Sequence, residues 1–132
     1  MRTIDEIIIH CTATEEGVSY TASDIDRWHK AKGWQGIGYH FVVLLNGTVE
    51  SGRSVATVGA HCKGHNQRSI GVCYVGGLRN GKPADTRTPE QQKALRNLVA
   101  TLRHCYPAIA KVSGHNDYSA KDCPCFNVKT DL

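Results

Sequence analysis

The sequence lacks the segments that direct a protein into a membrane or out of the cell. None of its 132 residues lies in an apolar run long enough to cross a bilayer, and the opening residues MRTIDE form no apolar leader. We therefore expect the chain to be made in the cytoplasm without a signal peptide and not to insert into a membrane. In that setting its six cysteines would be mostly reduced thiols, either buried or bound to metal.

Basic clusters, internal repeats and domain linkers are missing as well. The formal net charge is only +4, and no two lysine or arginine residues are adjacent, so we do not expect nucleic acid as the partner. With 40% hydrophobic and 21% charged residues, the composition is that of a soluble globular protein. We expect residues 1–132 to form one domain around one core, with a monomer as the default.

Four short apolar runs predict the strands of an α/β domain. They span residues 4–10, 39–45, 69–75 and 110–113. Asn46-Gly47 predicts a hairpin turn, after which residues 48–51 return antiparallel to the second strand. The first run is apolar without alternation, which is typical of a strand buried on both faces of a sheet.

Two helices are predicted to pack against this sheet. Residues 21–32 form the first, with an expected buried face of Ile25, Trp28 and Ala31. Thr88 caps the second helix, which ends before Pro107. Its expected buried face comprises Ala94, Leu95, Leu98, Val99, Leu102 and Cys105. Residues 52–67 and 76–87 are expected to be loops, so the predicted fold is a central mixed sheet covered by helices.

Three candidate metal ligands lie near the ends of predicted strands. His10 closes the first strand, His115 follows the fourth, and Cys123 lies in the turn-rich segment beyond it. Imidazole nitrogens and a thiolate suit zinc, and three protein ligands leave a fourth position open for water or substrate. Lys121 is two residues from Cys123, and an ammonium group can stabilise an oxyanion at such a site.

The residues alone leave several roles open. Tyr39 and His40 are adjacent and point to opposite faces of a strand, so only one of them can face the site. His61 and Asn66 lie in a long glycine-rich loop, where they could line a substrate groove or only stabilise turns. Trp34 is most simply a packing residue at the end of the first helix.

The two cysteines near the C-terminus have a simpler interpretation as well. Cys123 and Cys125 do not form a CxxC pair, so they could be two loop thiols, one packed and one exposed. Any single histidine of the seven is also more often structural than a metal ligand. A cysteine hydrolase, with Cys123 as nucleophile and His115 as base, uses the same residues without a metal.

Taken together, the motifs resemble the zinc-dependent N-acetylmuramoyl-L-alanine amidases of the phage lysozyme and peptidoglycan recognition protein superfamily. The resemblance covers nearly the whole chain and is closest to the small single-domain phage amidase lysozymes. The blocks that carry it are 8–14 (IIHCTAT), 28–30 (WHK), 33–34 (GW), 38–41 (GYHF), 46–53 (NGTVESGR), 58–66 (VGAHCKGHN), 69–77 (SIGVCYVGG), 88–89 (TP), 114–115 (GH) and 121–126 (KDCPCF).

The resemblance implies roles for individual residues. One zinc ion per chain would be held by His10, His115 and Cys123. Tyr39, rather than His40, would assist at the reacting carbonyl. Lys121 would be needed for turnover but not for zinc binding, and His61 and Asn66 would contact the substrate in a groove. The fold implied is again a central mixed sheet with helices on its faces.

The activity implied is cleavage of the amide bond between the lactyl group of N-acetylmuramic acid and the L-alanine of the peptidoglycan stem peptide. Such an endolysin-like enzyme would reach the cell wall after lysis, through a holin or by another export route. The alternative is a module of the same fold that binds and senses peptidoglycan without cutting it. Loss of the cysteine ligand would mark such a module, and Cys123 is present.

Cys125 departs from the family pattern, in which relatives often carry a small residue such as serine. A second thiol there could compete with Cys123 for the metal, form a disulfide with it, or complete a purely structural four-ligand zinc site. We predict that Cys123→Ala loses metal and activity, whereas Cys125→Ala keeps both.

Overall fold

The strands form two sheets in the computed structural model, which describes residues 2–132. In chain order they are β1 (Glu6–Cys11), β2 (Thr14–Glu15), β3 (Phe41–Val43), β4 (Val49–Ser51), β5 (Ser69–Tyr74), β6 (Gly77–Arg79), β7 (Lys82–Pro83) and β8 (Lys111–Gly114). The helices are α1 (Ala22–Ala31), α2 (Pro89–Cys105) and α3 (Val128–Asp131). Within residues 2–132, no helix has the length and apolar character that crossing a bilayer requires.

The main sheet is mixed, with the strand order β4-β3-β5-β1-β8. β1 is parallel to β5 on one side and to β8 on the other, and every residue of β1 and β5 is buried. β3 is parallel to β5 and antiparallel to β4 across the predicted Asn46-Gly47 hairpin. The predicted mixed sheet is therefore confirmed, although β3 is shorter than the predicted run 39–45.

A second, small sheet occupies the segment that the sequence predicts as a loop. β6 and β7 form a hairpin there, and β6 pairs in parallel with β2. The prediction of a loop over 76–87 was wrong because the glycines signal close packing rather than irregular chain. Gly77 has a φ of 107°, and a Cβ on it would lie 2.5 Å from Sγ of Cys11. Only glycine allows the small sheet to approach β1 this closely.

α1 begins at a reciprocal capping box, in which Thr21 and Asp24 each accept a backbone N–H from the other. Its buried residues are Ile25 and His29, and the predicted Ala31 is exposed. The predicted face is right at Ile25 and at Trp28, which packs partly buried against the same cluster, but it missed His29 because a polar histidine was not expected in a buried position. His29 is accommodated there because its Nδ1 accepts the Gly38 N–H over 2.9 Å.

α2 begins at a second capping box, between Thr88 and Gln91. Gln91 is fully buried, and its Nε2 donates to the carbonyls of Val43 and Val75, which ties the helix to the ends of β3 and β5. The buried apolar residues include Leu95, Val99 and Leu102, as predicted. Cys105, the last residue of the helix, is exposed, contrary to the prediction.

The two faces of the main sheet carry different helices. Ile7 and Ile9 of β1 join the apolar cluster that includes Leu95 and Val99 of α2. A second cluster joins Ile25 of α1 to Val42 of β3. Because side chains alternate along a strand, Ile8 and His10 point away from the α2 face. Alternation therefore directs His10 to the face of the sheet on which α1 lies.

Candidate active site

His10 and His115 lie at the same edge of the main sheet. Ile9 of β1 is opposite Gly114 of the parallel strand β8, so the next residues of both strands emerge side by side. The carboxyl ends of parallel strands are where ligands bind in α/β sheets. The two imidazole ring centroids are 4.7 Å apart, which brings together residues separated by most of the chain.

Cys123 completes a group of three possible metal ligands. One atom each of His10, His115 and Cys123 lies within 4.8 Å of the others. Sγ of Cys123 lies 3.9 Å from Nδ1 of His10, and it accepts the backbone N–H of Cys11 over 3.2 Å. With Zn–N of ~2.0 Å and Zn–S of ~2.3 Å, tetrahedral zinc requires an N···S separation of about 3.6 Å. The donor types and their spacing therefore fit a single metal ion.

The surroundings keep both histidines neutral. Burial lowers the pKa of His10, and the neighbouring His61, His115 and Lys121 lower it further. Burial also lowers the pKa of His115, again with a contribution from the charge of Lys121. A neutral imidazole keeps the lone pair that metal binding needs. Lys121 lines the same pocket as His115.

A pocket of about 430 Å³ opens beside these ligands. Tyr39, Lys121 and His115 are among its lining residues, together with His61 and Asn66. The ring of Tyr39 lies 5.1 Å from that of His10, measured between centroids. Burial and the nearby thiols raise the pKa of Tyr39, so its hydroxyl keeps the proton it can donate.

His40 has a structural position that differs from that of its neighbour Tyr39. Its ring is fully buried, with Nδ1 accepting the N–H of Gly71 and Nε2 donating to the carbonyl of Thr57. Both nitrogens are therefore used to join the long loop to β5. Tyr39 therefore lines the pocket, whereas the ring of His40 is hydrogen-bonded to the backbone.

Asn66 and His61 have internal partners as well as positions in the pocket wall. Oδ1 of Asn66 accepts the backbone N–H groups of His61 and Cys62, over 2.9 and 3.0 Å. Nδ1 of His61 lies 2.8 Å from Nε2 of His10. Burial, followed by the charges around it, lowers the pKa of His61 to about 3. Asn66 therefore supports the backbone of the loop, and His61 contacts the side chain of His10.

Comparisons with known proteins agree with this geometry. A family model described as N-acetylmuramoyl-L-alanine amidase matches residues 1–126. The chain belongs to this amidase family. It is 43% identical to the endolysin of Escherichia phage T7 over 126 residues, 95% of this chain and 83% of that one. It is 42% identical to the endolysin of Klebsiella phage KP32 over 125 residues, 94% of this chain and 82% of that one.

A solved structure gives the same result for the fold. The amidase superposes on the N-acetylmuramoyl-L-alanine amidase LysC from Clostridium intestinale URNW with a TM-score of 0.82. The two chains are 33% identical, and the match covers 96% of this chain and 79% of the other. The α/β fold and the membership of this superfamily, both expected from the sequence motifs, are confirmed.

Two aromatic residues of the pocket were missed by sequence reasoning. His29 lines the pocket from α1, and Trp34, 41% exposed, packs on it with ring centroids 4.6 Å apart. Trp34 is therefore both a packing residue and part of the pocket wall of the amidase. The position of His29, four residues after Ile25 on one helix face, was the available signal.

Cys125 of the amidase points away from the metal ligands. Its Sγ donates to the carbonyl of Gly77 over 3.3 Å and lies 4.0 Å from Sγ of Cys11. Burial raises the pKa of the Cys125 thiol to about 12, so it is protonated at neutral pH. Within residues 2–132, the three-ligand group contains Cys123 and not Cys125.

Proposed function

We propose that this amidase uses one zinc ion, bound by His10, His115 and Cys123, to release the stem peptide from peptidoglycan. The bond broken is the amide between the lactyl group of N-acetylmuramic acid and L-alanine. The observation that carries the proposal is the group of three donor atoms within 4.8 Å, one of which, from His115, belongs to a residue that lines the same pocket as Tyr39 and Lys121. The enzyme is a cell-wall lytic amidase.

Zinc with an open position supplies a Lewis acid for the carbonyl and lowers the pKa of a bound water toward ~7. His10, His115 and Cys123 would hold the ion, and His115 is the one of the three that also lines the pocket. The pocket is lined by His115 of this group and by Trp34 and His29, and in this proposal it receives the stem peptide.

Tyr39 and Lys121 would act on the oxygen of the scissile carbonyl. The hydroxyl of Tyr39 stays protonated, so it can donate a hydrogen bond to that oxygen as negative charge develops. The ammonium group of Lys121 is exposed at the pocket and can approach the same oxygen from the solvent side. When the C–N bond breaks, the departing amine of L-alanine takes up a proton, which Tyr39 or a water can relay.

A module that binds peptidoglycan without cutting it is less consistent with these residues. A sensing module does not need a third ligand or a buried hydroxyl beside it, and this chain has both Cys123 and Tyr39. A cysteine nucleophile is also disfavoured, because Sγ of Cys123 is held by the backbone N–H of Cys11 beside two neutral imidazoles. Only the zinc proposal predicts that a chelator abolishes activity.

The test combines metal removal with a product assay. The purified protein should contain about one zinc per chain, as a three-ligand site requires. Chelation should abolish the appearance of new L-alanine amino termini from purified cell walls, and added zinc should restore it. Full activity in the metal-free protein would contradict the proposal. Binding to muropeptides without new amino termini would favour the sensing module.

We also propose that the amidase acts as a monomer on the wall itself. The expectation that it is made in the cytoplasm, and reaches the wall by lysis, a holin or another route, stays a prediction. Sedimentation of the purified protein tests the monomer, and a dimer at micromolar concentration would contradict it.

A further inference from the structure

His61 connects the metal ligand His10 to the protein interior. Its two ring nitrogens lie at hydrogen-bond distance from different groups: Nδ1 is 2.8 Å from Nε2 of His10, and Nε2 is 3.2 Å from Oγ of Ser69. The rings of His10 and His61 meet edge to face, with centroids 4.9 Å apart. His61 is therefore the direct neighbour of the nitrogen of His10 that does not face Cys123.

The direction of each hydrogen bond follows from Ser69. Its hydroxyl proton is donated to the carbonyl of His65 over 2.7 Å, so toward His61 the Ser69 oxygen can only accept. Nε2 of His61 must then carry the ring proton. Nδ1 of His61 is consequently an acceptor, and Nε2 of His10 must donate to it. The carbonyl of His65 thus fixes the tautomer of His61 and, through it, the tautomer of His10.

This chain of hydrogen bonds determines which ring nitrogen of His10 is free to bind a metal. With its proton on Nε2, His10 presents the lone pair of Nδ1, and this is the nitrogen 3.9 Å from Sγ of Cys123. In the opposite tautomer, Nδ1 would carry a proton and could not bind a metal. The contact with His61 therefore selects the form of His10 that can be a ligand.

The ring of His61 packs closely against two glycines. A Cβ on Gly71 of β5 would lie 2.6 Å from Cγ of His61, and a Cβ on Gly59 would lie 2.7 Å from Cδ2. Asn66 holds the backbone at the same residue through its bond to the His61 N–H. The backbone, the ring carbons and both ring nitrogens of His61 are thus all fixed by the protein.

We propose that His61 is a positioning residue for the metal site, which orients His10 and selects its tautomer, and not a polar contact to substrate. The inference rests on the proposed zinc function. Both nitrogens of His61 are already used within the protein, so only its carbon edge remains for the pocket. Partners that orient a metal-ligating histidine typically change metal affinity or activity by ~10–100-fold when they are removed.

Two substitutions separate this role from a substrate contact. His61→Asn places an amide oxygen close to the position of Nδ1, so it can still accept from His10, whereas His61→Phe keeps the ring but removes the acceptor. We expect His61→Phe to weaken zinc binding by ~10–100-fold and His61→Asn to stay within about threefold of wild type. The measurement is competition with a chromogenic chelator, without substrate, on protein whose folding is checked by circular dichroism.

The wild-type protein gives a second readout that needs no substitution. In the metal-free protein, the ¹⁵N chemical shifts of the His10 ring should identify the Nε2–H tautomer. An Nδ1–H tautomer would overturn the inference, as would a His61→Phe protein that binds zinc as tightly as wild type and changes only KM. A wild type that binds no zinc would instead contradict the proposed function.

Discussion

The backbone N–H of Cys11 donates a 3.2 Å hydrogen bond to Sγ of Cys123. The bond joins β1 to a loop near the other end of the chain, and His10, the preceding residue, presents Nδ1 to the same sulfur. A backbone donor is a suitable partner for a sulfur that binds a metal as thiolate. Two consecutive residues of one buried strand therefore fix two of the three candidate ligand positions.

Tyr39→Phe should separate catalysis from metal binding. The substitution removes only the hydroxyl and keeps the ring that packs 5.1 Å from His10. Loss of one donor to a developing oxyanion lowers kcat by ~10²–10³-fold in comparable sites. We expect a loss of this size with zinc content unchanged, measured by steady-state kinetics on soluble muropeptides. A Tyr39→Phe enzyme with wild-type kcat would show that the hydroxyl takes no part.

Lys121→Ala should also lower kcat without loss of zinc. Lys121 lines the pocket together with His115, and its charge contributes to the lowered pKa of both His10 and His115. Lys63 is a matched control, because it is also exposed and lines the same pocket. We expect a ~10²-fold loss for Lys121→Ala and less than about threefold for Lys63→Ala. Equal losses would indicate a general effect of positive charge on substrate binding.

Much of the framework was predictable because its signals are local. The β1 and β5 runs are short, β-branched and uninterrupted, and the capping box at Thr88 is visible in sequence. The second sheet was not predictable, because β6 pairs with β2, a strand of only two residues that lies far from it in the sequence. A strand this short has no periodicity of its own.

The site was predictable in its residue types and less so in its connections. The motifs identified His10, His115 and Cys123, but the adjacent residues Tyr39 and His40 could not be told apart by pattern alone. The folded structure distinguishes the two residues, because both ring nitrogens of His40 form hydrogen bonds with the backbone of Gly71 and Thr57. The partner of His10 was equally hidden, since His61 is 51 residues away and meets it only in the folded chain.

The protein should lose stability as the pH is lowered, and His40 should account for part of this loss. Burial lowers the pKa of this histidine, and its Nδ1 accepts a backbone N–H that a protonated ring could not accept. The unfolded state therefore binds protons first as pH falls below ~6.5, so stability is present above that pH and is lost toward the lower folded pKa. One such group contributes a slope of at most ~1.4 kcal/mol per pH unit.

Urea unfolding of the metal-free protein at pH 7 and pH 5 measures this effect. His40→Gln should lose less stability than wild type between the two pH values. His104→Gln is the control, since His104 is an exposed residue near the end of α2. A His40→Gln protein with the pH dependence of wild type would contradict the assignment.

The central claim is that three ligands, and not the neighbouring thiol, hold a catalytic zinc. Zinc content and amidase activity of wild type, Cys123→Ala and Cys125→Ala, measured on the same preparations, test it most directly. Cys125 is a close control because it lies two residues away but bonds to Gly77. We predict about one zinc per chain and full activity for wild type and Cys125→Ala, and loss of both for Cys123→Ala. Retained zinc and activity in Cys123→Ala, or their loss in a folded Cys125→Ala, would contradict the account.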